Sequence, residues 1–455
     1  MNEKICFVNT PLQDYAKTKR KDYRTMAPLG LGHVATAAKL LGHHVELIDA
    51  EDRGLSPEEI ANYVEMRDFG IFGINLVSPT VPISKRILEL VGKKNGRRII
   101  AGGPHATTAA QHALEELPEI DLVIRGEGEH AIVEFLEGRP YEKILGASYV
   151  RDGKIVHSPA RPVIQDLDSL PFVDRDLLPE GDKASVMTTR GCPFACVYCS
   201  VQVISGKKIR TRSVENIVNE LEEIRRRGVN KIHFVDDNFI YSREKSMGLA
   251  REIKARNLGL DYRGLARADL VAKMGEDVMA EMHGSGLYQL TFGLESGNPR
   301  ILQLIKKGIT IEDSKRAIEV CKNVGIRTKG YFMIGFPTET EEEIYQTIEF
   351  AQKLGLDEPW FVITRAYPGT KLFEMVGSDP AYMEYGQIDE INSISPEEHL
   401  RLEKEGVNWE KFVKYGAFNQ KPLSEIPTGK LVDLLRDAYR AVYLGEKADK
   451  NAEAA

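Results

Sequence analysis

Cysteine is scarce in this chain of 455 residues, which has five cysteines, and three of them (Cys192, Cys196 and Cys199) share one short stretch. No apolar run approaches the length of a membrane-spanning helix, since candidates such as Tyr331 to Phe336 have the length of a strand. The first residues contain no secretory hydrophobic region, which predicts a cytoplasmic location and disfavours disulfides. A net charge of -7 argues against a nucleic-acid backbone as the main partner, so a small-molecule substrate is expected.

Size and composition are ordinary for a globular protein of two or three domains, with 42% hydrophobic and 28% charged residues. Residues 1–135 alternate short apolar strands with helical segments, which predicts an α/β, doubly wound, Rossmann-like domain. The predicted strands are 5–8, 45–48, 71–74, 98–101 and 122–124, and the predicted helices are 32–41, 57–66, 81–94 and 107–117. Scattered prolines over 136–182 predict a linker.

A second series of strands and helices begins near residue 183. The predicted strands are 184–189, 231–235, 262–266, 288–292, 327–334 and 361–363. Six such units predict a partial (β/α)6 barrel of the TIM type over 183–370, with functional loops at the carboxyl ends of the strands. Residues 371–455 are predicted to form a helical C-terminal region with a frayed tail.

The cysteine loop follows the first strand of the predicted barrel. Three thiolates at CxxxCxxC spacing can hold three irons of a cubane cluster and leave the fourth iron open to a small molecule. A structural zinc site is the weaker alternative, because neither His157 nor His233 completes a zinc-ligand pattern.

With Tyr198 before its last cysteine, the loop resembles the signature of the radical S-adenosylmethionine enzymes, over roughly residues 183–370. The resemblance implies a [4Fe–4S] cluster whose open iron chelates S-adenosylmethionine. Reductive cleavage would then give a 5'-deoxyadenosyl radical, with a flavodoxin- or ferredoxin-type protein as electron donor. The positions matching the cofactor-binding segments of the family are Tyr198, Asp236, Asp237, Glu295, Ser296 and Gly335. The alternative is structural, with the aspartates capping a helix and Gly335 forming a turn.

The loops of the first domain resemble those of the cobalamin-binding domain found in cobalamin-dependent members of that family. The implied cobalamin-binding residues are Leu76, Val77, Ser78, Thr80, Gly102, Gly103, His105, Gly126, Glu127 and Gly128. Small residues at strand ends would leave a platform for a flat corrin ring. A flavodoxin-like domain that only supports the barrel is the alternative. No Asp-x-His-x-x-Gly motif occurs in the N-terminal half, so we expect cobalt to be bound without histidine.

The resemblance implies a methyltransferase acting on an unactivated carbon, or on a phosphinate, of a biosynthetic intermediate. A non-methylating radical enzyme, for dehydration, cyclisation or oxidation, is the alternative, and a cobalamin-binding sensor is the non-enzymatic one. A methylthiotransferase would need a second trio of cysteines, whereas the N-terminal domain has Cys6 alone. The expected substrate contacts are Arg267, Lys329, Tyr331, Arg365 and the segment 382–385.

Overall fold

The computed structural model describes residues 2–17, 27–178, 181–383 and 422–446. These residues form two compact units. The first unit contains the described residues up to 181 together with 200–210, and the second contains 182–199, 211–383 and 422–446. Within these ranges, no helix is long and apolar enough to cross a membrane.

The first unit is built on a seven-stranded sheet. In chain order its strands are β1 (Lys4–Asn9), β2 (His44–Asp49), β3 (Ile71–Asn75), β4 (Arg98–Gly102), β5 (Leu122–Ile124), β6 (Ala147–Arg151) and β7 (Lys154–His157). Their spatial order is β2-β1-β3-β4-β5-β6-β7, with β1 to β5 parallel and the last two strands antiparallel. The helices are α1 (Leu29–Leu40), α2 (Ala50–Arg53), α3 (Pro57–Arg67), α4 (Val81–Val91), α5 (Pro104–Thr108), α6 (Ala110–Glu116), α7 (Glu129–Leu136) and α8 (Val201–Ser205). This architecture confirms the predicted doubly wound fold.

Two local predictions in this unit need correction. The segment 136–182 was predicted as a linker, but its strands β6 and β7 extend the sheet as a hairpin. Asp152 and Gly153 at the turn both have positive φ, 50° and 72°, as the tightest hairpins require. The helix predicted over 107–117 is two helices, because Ala109 leaves the helical conformation (φ -136°, ψ 40°).

The second unit contains a six-stranded parallel sheet with the order β15-β14-β13-β12-β11-β8. Its strands are β8 (Lys183–Val186), β11 (Lys231–Phe234), β12 (Asp261–Ala266), β13 (Leu287–Glu295), β14 (Arg327–Ile334) and β15 (Glu358–Ile363), and two-residue strands β9 (Thr189–Arg190) and β10 (Arg210–Thr211) lie between the first two in the chain. The helices are α9 (Val214–Arg226), α10 (Arg243–Ala255), α11 (Ala268–His283), α12 (Pro299–Leu304), α13 (Ile311–Val324), α14 (Glu341–Leu354), α15 (Lys371–Met375) and α16 (Thr428–Tyr439). Neighbouring strands follow chain order, as the predicted partial barrel requires.

The described part of the C-terminal region packs on the barrel through α16. The hydroxyl of Tyr439 donates to the carbonyl of Phe361 at 3.0 Å and accepts from its N–H at 3.2 Å. Both residues are buried, so the edge strand β15 is covered on its outer face. Residues 384–421 and 447–455, which include nearly all of the predicted frayed tail, lie outside the described residues.

Candidate active site

The cysteine loop follows β9 at the carboxyl end of the barrel sheet. Its three cysteines are half-buried. The loop is pinned through the backbone of Val197, whose N–H donates to Ile305 at 3.0 Å and whose carbonyl accepts from Leu372 at 2.7 Å. In the described part of the chain, no three His, Cys, Asp or Glu side chains are arranged to hold a metal ion. The fold therefore gathers the three thiols on one anchored loop without setting them in ligand geometry.

Arg267, which was predicted as a substrate contact, lies against this loop instead. It is 6% exposed, its Nη1 is 3.9 Å from the Cys196 sulfur, and its guanidinium lies 3.5 Å from the centre of the Phe194 ring. Its other N–H groups donate to Asp269 at 3.0 Å and to the carbonyl of Lys307 at 2.8 Å. The side chain is thus held against the loop, because Arg267 immediately follows β12 and begins the turn into α11.

A buried trio connects β13 to the cysteine loop. The Glu295 carboxylate accepts a hydrogen bond from the Tyr198 hydroxyl at 2.8 Å and forms an ion pair with Lys307 at 2.8 Å. The Lys307 ammonium is also 3.2 Å from the Tyr198 hydroxyl. Burial, followed by the Glu295 charge, raises the pKa of Tyr198 well above its usual value, so the phenol remains a donor. Two residues predicted to bind S-adenosylmethionine are therefore hydrogen-bonded to each other directly, and both also contact Lys307, which the sequence reasoning missed.

Ser296 is also occupied by protein groups. It is 1% exposed, and its hydroxyl lies 3.0 Å from the Thr347 hydroxyl and accepts from the N–H of Asn298 at 3.1 Å. These contacts hold the turn between β13 and α12. Ser296 thus has a structural role in the turn.

The two aspartates after β11 differ in their surroundings. Asp236 is 1% exposed and accepts hydrogen bonds from the backbone and side chains of Thr188 and Thr189, so it fixes the chain just before the cysteine loop. Burial outweighs these hydrogen bonds and raises the pKa of Asp236 to about 6. Asp237 is exposed, and its carboxylate accepts from the N–H of Gly191. Asp237 is therefore the aspartate with room for a ligand.

Asn238, next to Asp237, was missed by the sequence reasoning. It is 1% exposed, and neither its amide nitrogen nor its amide oxygen has a hydrogen-bond partner among the described residues. A buried amide without partners is costly, and such groups mark positions where a polar ligand or water completes the bonding.

Gly335 directly follows β14 and has φ +84°, a conformation that favours glycine. A Cβ at this position would lie 3.1 Å from Leu431 on α16. The turn is held by Glu339, whose carboxylate accepts from the N–H groups of Gly335 at 2.6 Å and Phe336 at 2.9 Å. Glu339 is a further residue that the sequence reasoning did not identify.

The remaining predicted substrate contacts are dispersed. Lys329 and Tyr331 are the third and fifth residues of β14, so they lie in the middle of the strand and not at its carboxyl end. Arg365 follows β15 and is half-buried, and Tyr382 is 4% exposed. Residues 384 and 385 of the predicted segment lie outside the described residues.

In the first unit, the loops after β3 and β4 are tied to each other. The N–H of Leu76 donates to Gly102 at 2.8 Å, and that of His105 donates to Leu76 at 3.0 Å. Gly103 has φ +101°, and a Cβ at this position would collide with the side chain of Asn75 and the carbonyl of Leu76. The close approach of the two loops therefore requires glycine.

The ten residues predicted to contact cobalamin divide into two groups. Leu76, Ser78, Thr80 and His105 are buried and support the loops from within. The half-exposed group, which forms the accessible edge of the platform, is Val77, Gly102, Gly103, Gly126, Glu127 and Gly128. The Glu127 carboxylate in this group is paired with Arg210 at 2.8 Å and accepts from the N–H of Ile164 at 2.6 Å.

His105 is a poor candidate for a cobalt ligand in this conformation. It is 0% exposed, its Nδ1 is 2.9 Å from the Ser78 hydroxyl, and its ring contacts His112 edge-on. Burial and the neighbouring His112 lower the pKa of His105 to about 4, so the ring is neutral at physiological pH.

The residues present fit the cofactors that this architecture implies. The three cysteines of the loop offer the soft thiolate ligands that an iron–sulfur cluster needs. Asp237, which is hydrogen-bonded to Gly191 of the loop, and the amide of the adjacent Asn238, which has no partner among the described residues, offer the acceptors and donor that an amino-acid group needs. The accessible edge of the first unit consists largely of glycines, which leave space for a flat ring.

Comparison with known proteins identifies both parts of the chain. Residues 20–136 match the B12 binding domain, and residues 186–351 match the radical SAM superfamily. The chain is 34% identical to the uncharacterized methyltransferase PH0819 of Pyrococcus horikoshii, over 98% of this chain and 93% of the relative. It is 25% identical to an anaerobic magnesium-protoporphyrin IX monomethyl ester cyclase of Rubrivivax gelatinosus, over 88% of this chain and 76% of the relative.

Two solved structures share the fold. The radical S-adenosylmethionine methyltransferase TsrM of Kitasatospora setae, with cobalamin and a [4Fe–4S] cluster bound, superposes with a TM-score of 0.68 at 21% identity, over 83% of this chain and 78% of that one. The cobalamin-dependent enzyme OxsB, with aqua-cobalamin and S-adenosylmethionine bound, gives 0.65 at 19% identity, over 95% of this chain and 61% of that one.

Proposed function

The chain belongs to the cobalamin-dependent radical S-adenosylmethionine enzymes, and we propose that it methylates an unactivated carbon, or a phosphinate, of a small molecule. The observation that carries this proposal is the 34% identity, over 98% of the chain, to a relative named as a methyltransferase. Its cofactors are a [4Fe–4S] cluster, S-adenosylmethionine and cobalamin. The cluster supplies the electron that cleaves S-adenosylmethionine, and cobalamin supplies methyl-carrying chemistry.

We assign the protein's own residues as follows. Cys192, Cys196 and Cys199 hold the cluster. Asp237 and Asn238 hold the amino-acid end of S-adenosylmethionine, since Asp237 is hydrogen-bonded to Gly191 of the loop and the amide of the adjacent Asn238 has no hydrogen-bond partner among the described residues. Arg267, which contacts the Cys196 sulfur, balances the negative charge of the Cys196 thiolate.

The enzyme requires a reductant, and a flavodoxin- or ferredoxin-type protein is the donor we propose. Reduction is a separate step from methylation, so a chemical reductant can replace the protein donor in a test. Turnover with a chemical reductant alone would then show that the donor is exchangeable.

The decisive experiment is anaerobic turnover of the reconstituted enzyme with S-adenosylmethionine labelled in its methyl group. We expect 5'-deoxyadenosine, S-adenosylhomocysteine and a labelled product, all of which are lost in Cys196→Ala. Cys321→Ala is the matched control, because Cys321 is buried within α13 and its replacement should not affect any of the three products. Conversion of a substrate with 5'-deoxyadenosine but without S-adenosylhomocysteine would refute methyl transfer.

A second candidate function is ring closure or oxidation without methylation. The relative of 25% identity named as a cyclase favours it, since the alignment covers 88% of this chain. The same experiment separates the two functions, because cyclisation leaves the methyl group of S-adenosylmethionine out of the product.

A further inference from the structure

The lumen of the barrel in the second unit is open to solvent. Along β11, β12, β14 and β15, buried residues alternate with half-buried ones. The buried set, which includes Tyr262, Phe332 and Phe361, packs into the hydrophobic core beneath the helices. The alternate set therefore faces the lumen, and its partial exposure shows that side chains do not fill this space completely.

The amino-terminal half of this lumen contains cationic side chains. The guanidinium of Arg263 on β12 lies 3.3 Å from Nδ1 of His233 on β11, which is its one polar contact among the described residues. Burial, together with the charges of Arg263, Lys183 and Lys329, lowers the pKa of His233 to about 3, so this histidine is neutral. Arg263 is thus a half-buried cation with no carboxylate partner within the described ranges.

Lys329 on β14 adds a second cation to the same space. Its ammonium lies 3.8 Å from the centre of the Trp360 ring and 3.8 Å from the Glu358 carboxylate. That carboxylate is shared, since it also pairs with Arg327 at 3.0 Å and accepts from Gln289 at 2.9 Å. Glu358 therefore contacts both Lys329 and Arg327, whereas Arg263 has no carboxylate partner among the described residues.

Two aromatic side chains, Tyr331 and Trp360, lie beside these cations. The Tyr331 and Trp360 rings contact each other edge-to-face, with centroids 6.1 Å apart. Both side chains are half-buried on the lumen side of their strands. Aromatic side chains next to a few polar groups are typical of small-molecule sites.

We propose that the barrel lumen binds an anionic substrate, whose phosphate- or carboxylate-type group is held by Arg263 and Lys329 and whose apolar or flat part lies along Tyr331 and Trp360. An anionic ligand would give Arg263 the negatively charged partner that it lacks among the described residues. This inference rests on the proposed function, because it takes the lumen as the substrate site.

The geometry also orients the substrate. Tyr331 lies four residues before Gly335 in β14 and the turn that follows it, a separation of about 13 Å along an extended chain. The cysteine loop is at the carboxyl ends of the strands, whereas the cations are near the amino ends. The substrate would therefore carry its anionic group on the side away from the atom that reacts.

Binding of phenyl phosphate to the anaerobically reconstituted full-length protein, followed by titration calorimetry, tests the proposal without turnover. We expect wild-type protein to bind phenyl phosphate more tightly than inorganic phosphate, and benzyl alcohol more weakly than either. Benzoate separates carboxylate from phosphate recognition. Arg263→Gln and Lys329→Met should each weaken phenyl phosphate binding at least about tenfold, the effect expected for one charged hydrogen bond.

Arg243→Gln is the matched control, because Arg243 is an exposed arginine on α10 of the same unit, paired with Asp277. Its affinity for phenyl phosphate should equal that of wild type, and Arg263→Lys should retain most of the binding. If wild type binds no anionic probe, or if binding survives both Arg263→Gln and Lys329→Met, the proposal is wrong. Circular dichroism establishes that each variant is folded, and intact binding with failed methylation would contradict the proposed function alone.

Discussion

Glu339 carries a carboxyl group in a setting that predicts a pH dependence. It is 3% exposed and holds the turn after β14. Burial raises the pKa of Glu339 to about 7, outweighing the opposing effect of the N–H groups of Phe336 and Gly335. Because this pKa lies above the ordinary glutamate value, the contribution to stability is complete below about pH 4.3 and is lost as pH rises through about 7.

Glu339→Gln should therefore flatten the pH dependence of unfolding. Glutamine keeps the shape of the side chain but does not titrate, so the decline in melting temperature between pH 5.5 and pH 8 should be shallower than in wild type. Thermal unfolding at several pH values measures the slope. Glu341→Gln, at an exposed glutamate in the first turn of α14, should leave the slope unchanged. Equal slopes for Glu339→Gln and wild type would contradict the assignment.

The sequence indicates residue types more directly than residue contacts. The three cysteines are assigned from their spacing, and their role as cluster ligands stays a prediction, whereas Asp236, Glu127 and Arg267, which were predicted as ligand contacts, are engaged with other protein groups. A sequence pattern identifies a charged side chain near a strand end and cannot give the direction in which it points. Asn238 shows the converse, since its unpartnered amide becomes visible only once its surroundings are known.

The Glu295–Lys307–Tyr198 trio acts between elements, because it joins β13, the loop after α12 and the cysteine loop. Lys307→Met should leave the buried Glu295 carboxylate without its cation, which costs about 3–5 kcal/mol of stability in comparable buried pairs. We also expect the variant to retain less iron after reconstitution, since Tyr198 precedes Cys199. Thermal unfolding and iron analysis provide the two readouts.

Lys306→Met is the matched control for this prediction, since Lys306 is the exposed neighbour of the buried Lys307. It should change neither stability nor iron content. The double variant Lys307→Met with Glu295→Gln should recover part of the lost stability, because the uncompensated charge is gone. Unchanged melting temperature in Lys307→Met would show that the trio does not support the loop.

At the level of elements, the sequence predicted most strands because buried parallel strands are near-continuous apolar runs. The strand Arg327–Ile334 is observed with the predicted limits. The hairpin of β6 and β7 was missed, although its Asp152-Gly153 turn is a strong local signal, because the flanking prolines dominated the reading of that stretch. Local breaks such as Ala109 depend on tertiary packing and leave no periodic trace.

At the scale of the whole molecule, the proposed function depends on two cofactor-binding domains in one chain. The B12 binding match covers residues 20–136, and the accessible edge of that unit is largely glycine. No half-exposed histidine belongs to the predicted contact set, because His105 is buried and hydrogen-bonded to Ser78 within the described structure. The predicted contact surface of the B12 binding domain would thus offer backbone groups and small side chains to the corrin ring.

We therefore predict that full-length protein reconstituted without oxygen binds one cobalamin per chain and places no protein nitrogen below cobalt. Paramagnetic resonance of the cobalt(II) state should show no splitting from a protein nitrogen, and His105→Asn should give the same spectrum as wild type. To bind cobalt, the buried His105 ring would first have to break its contact with Ser78. We therefore expect no histidine ligand. His130→Asn, at an exposed histidine of α7, controls for loss of a ring. Nitrogen splitting that disappears in His105→Asn alone would overturn the prediction and make His105 the lower ligand.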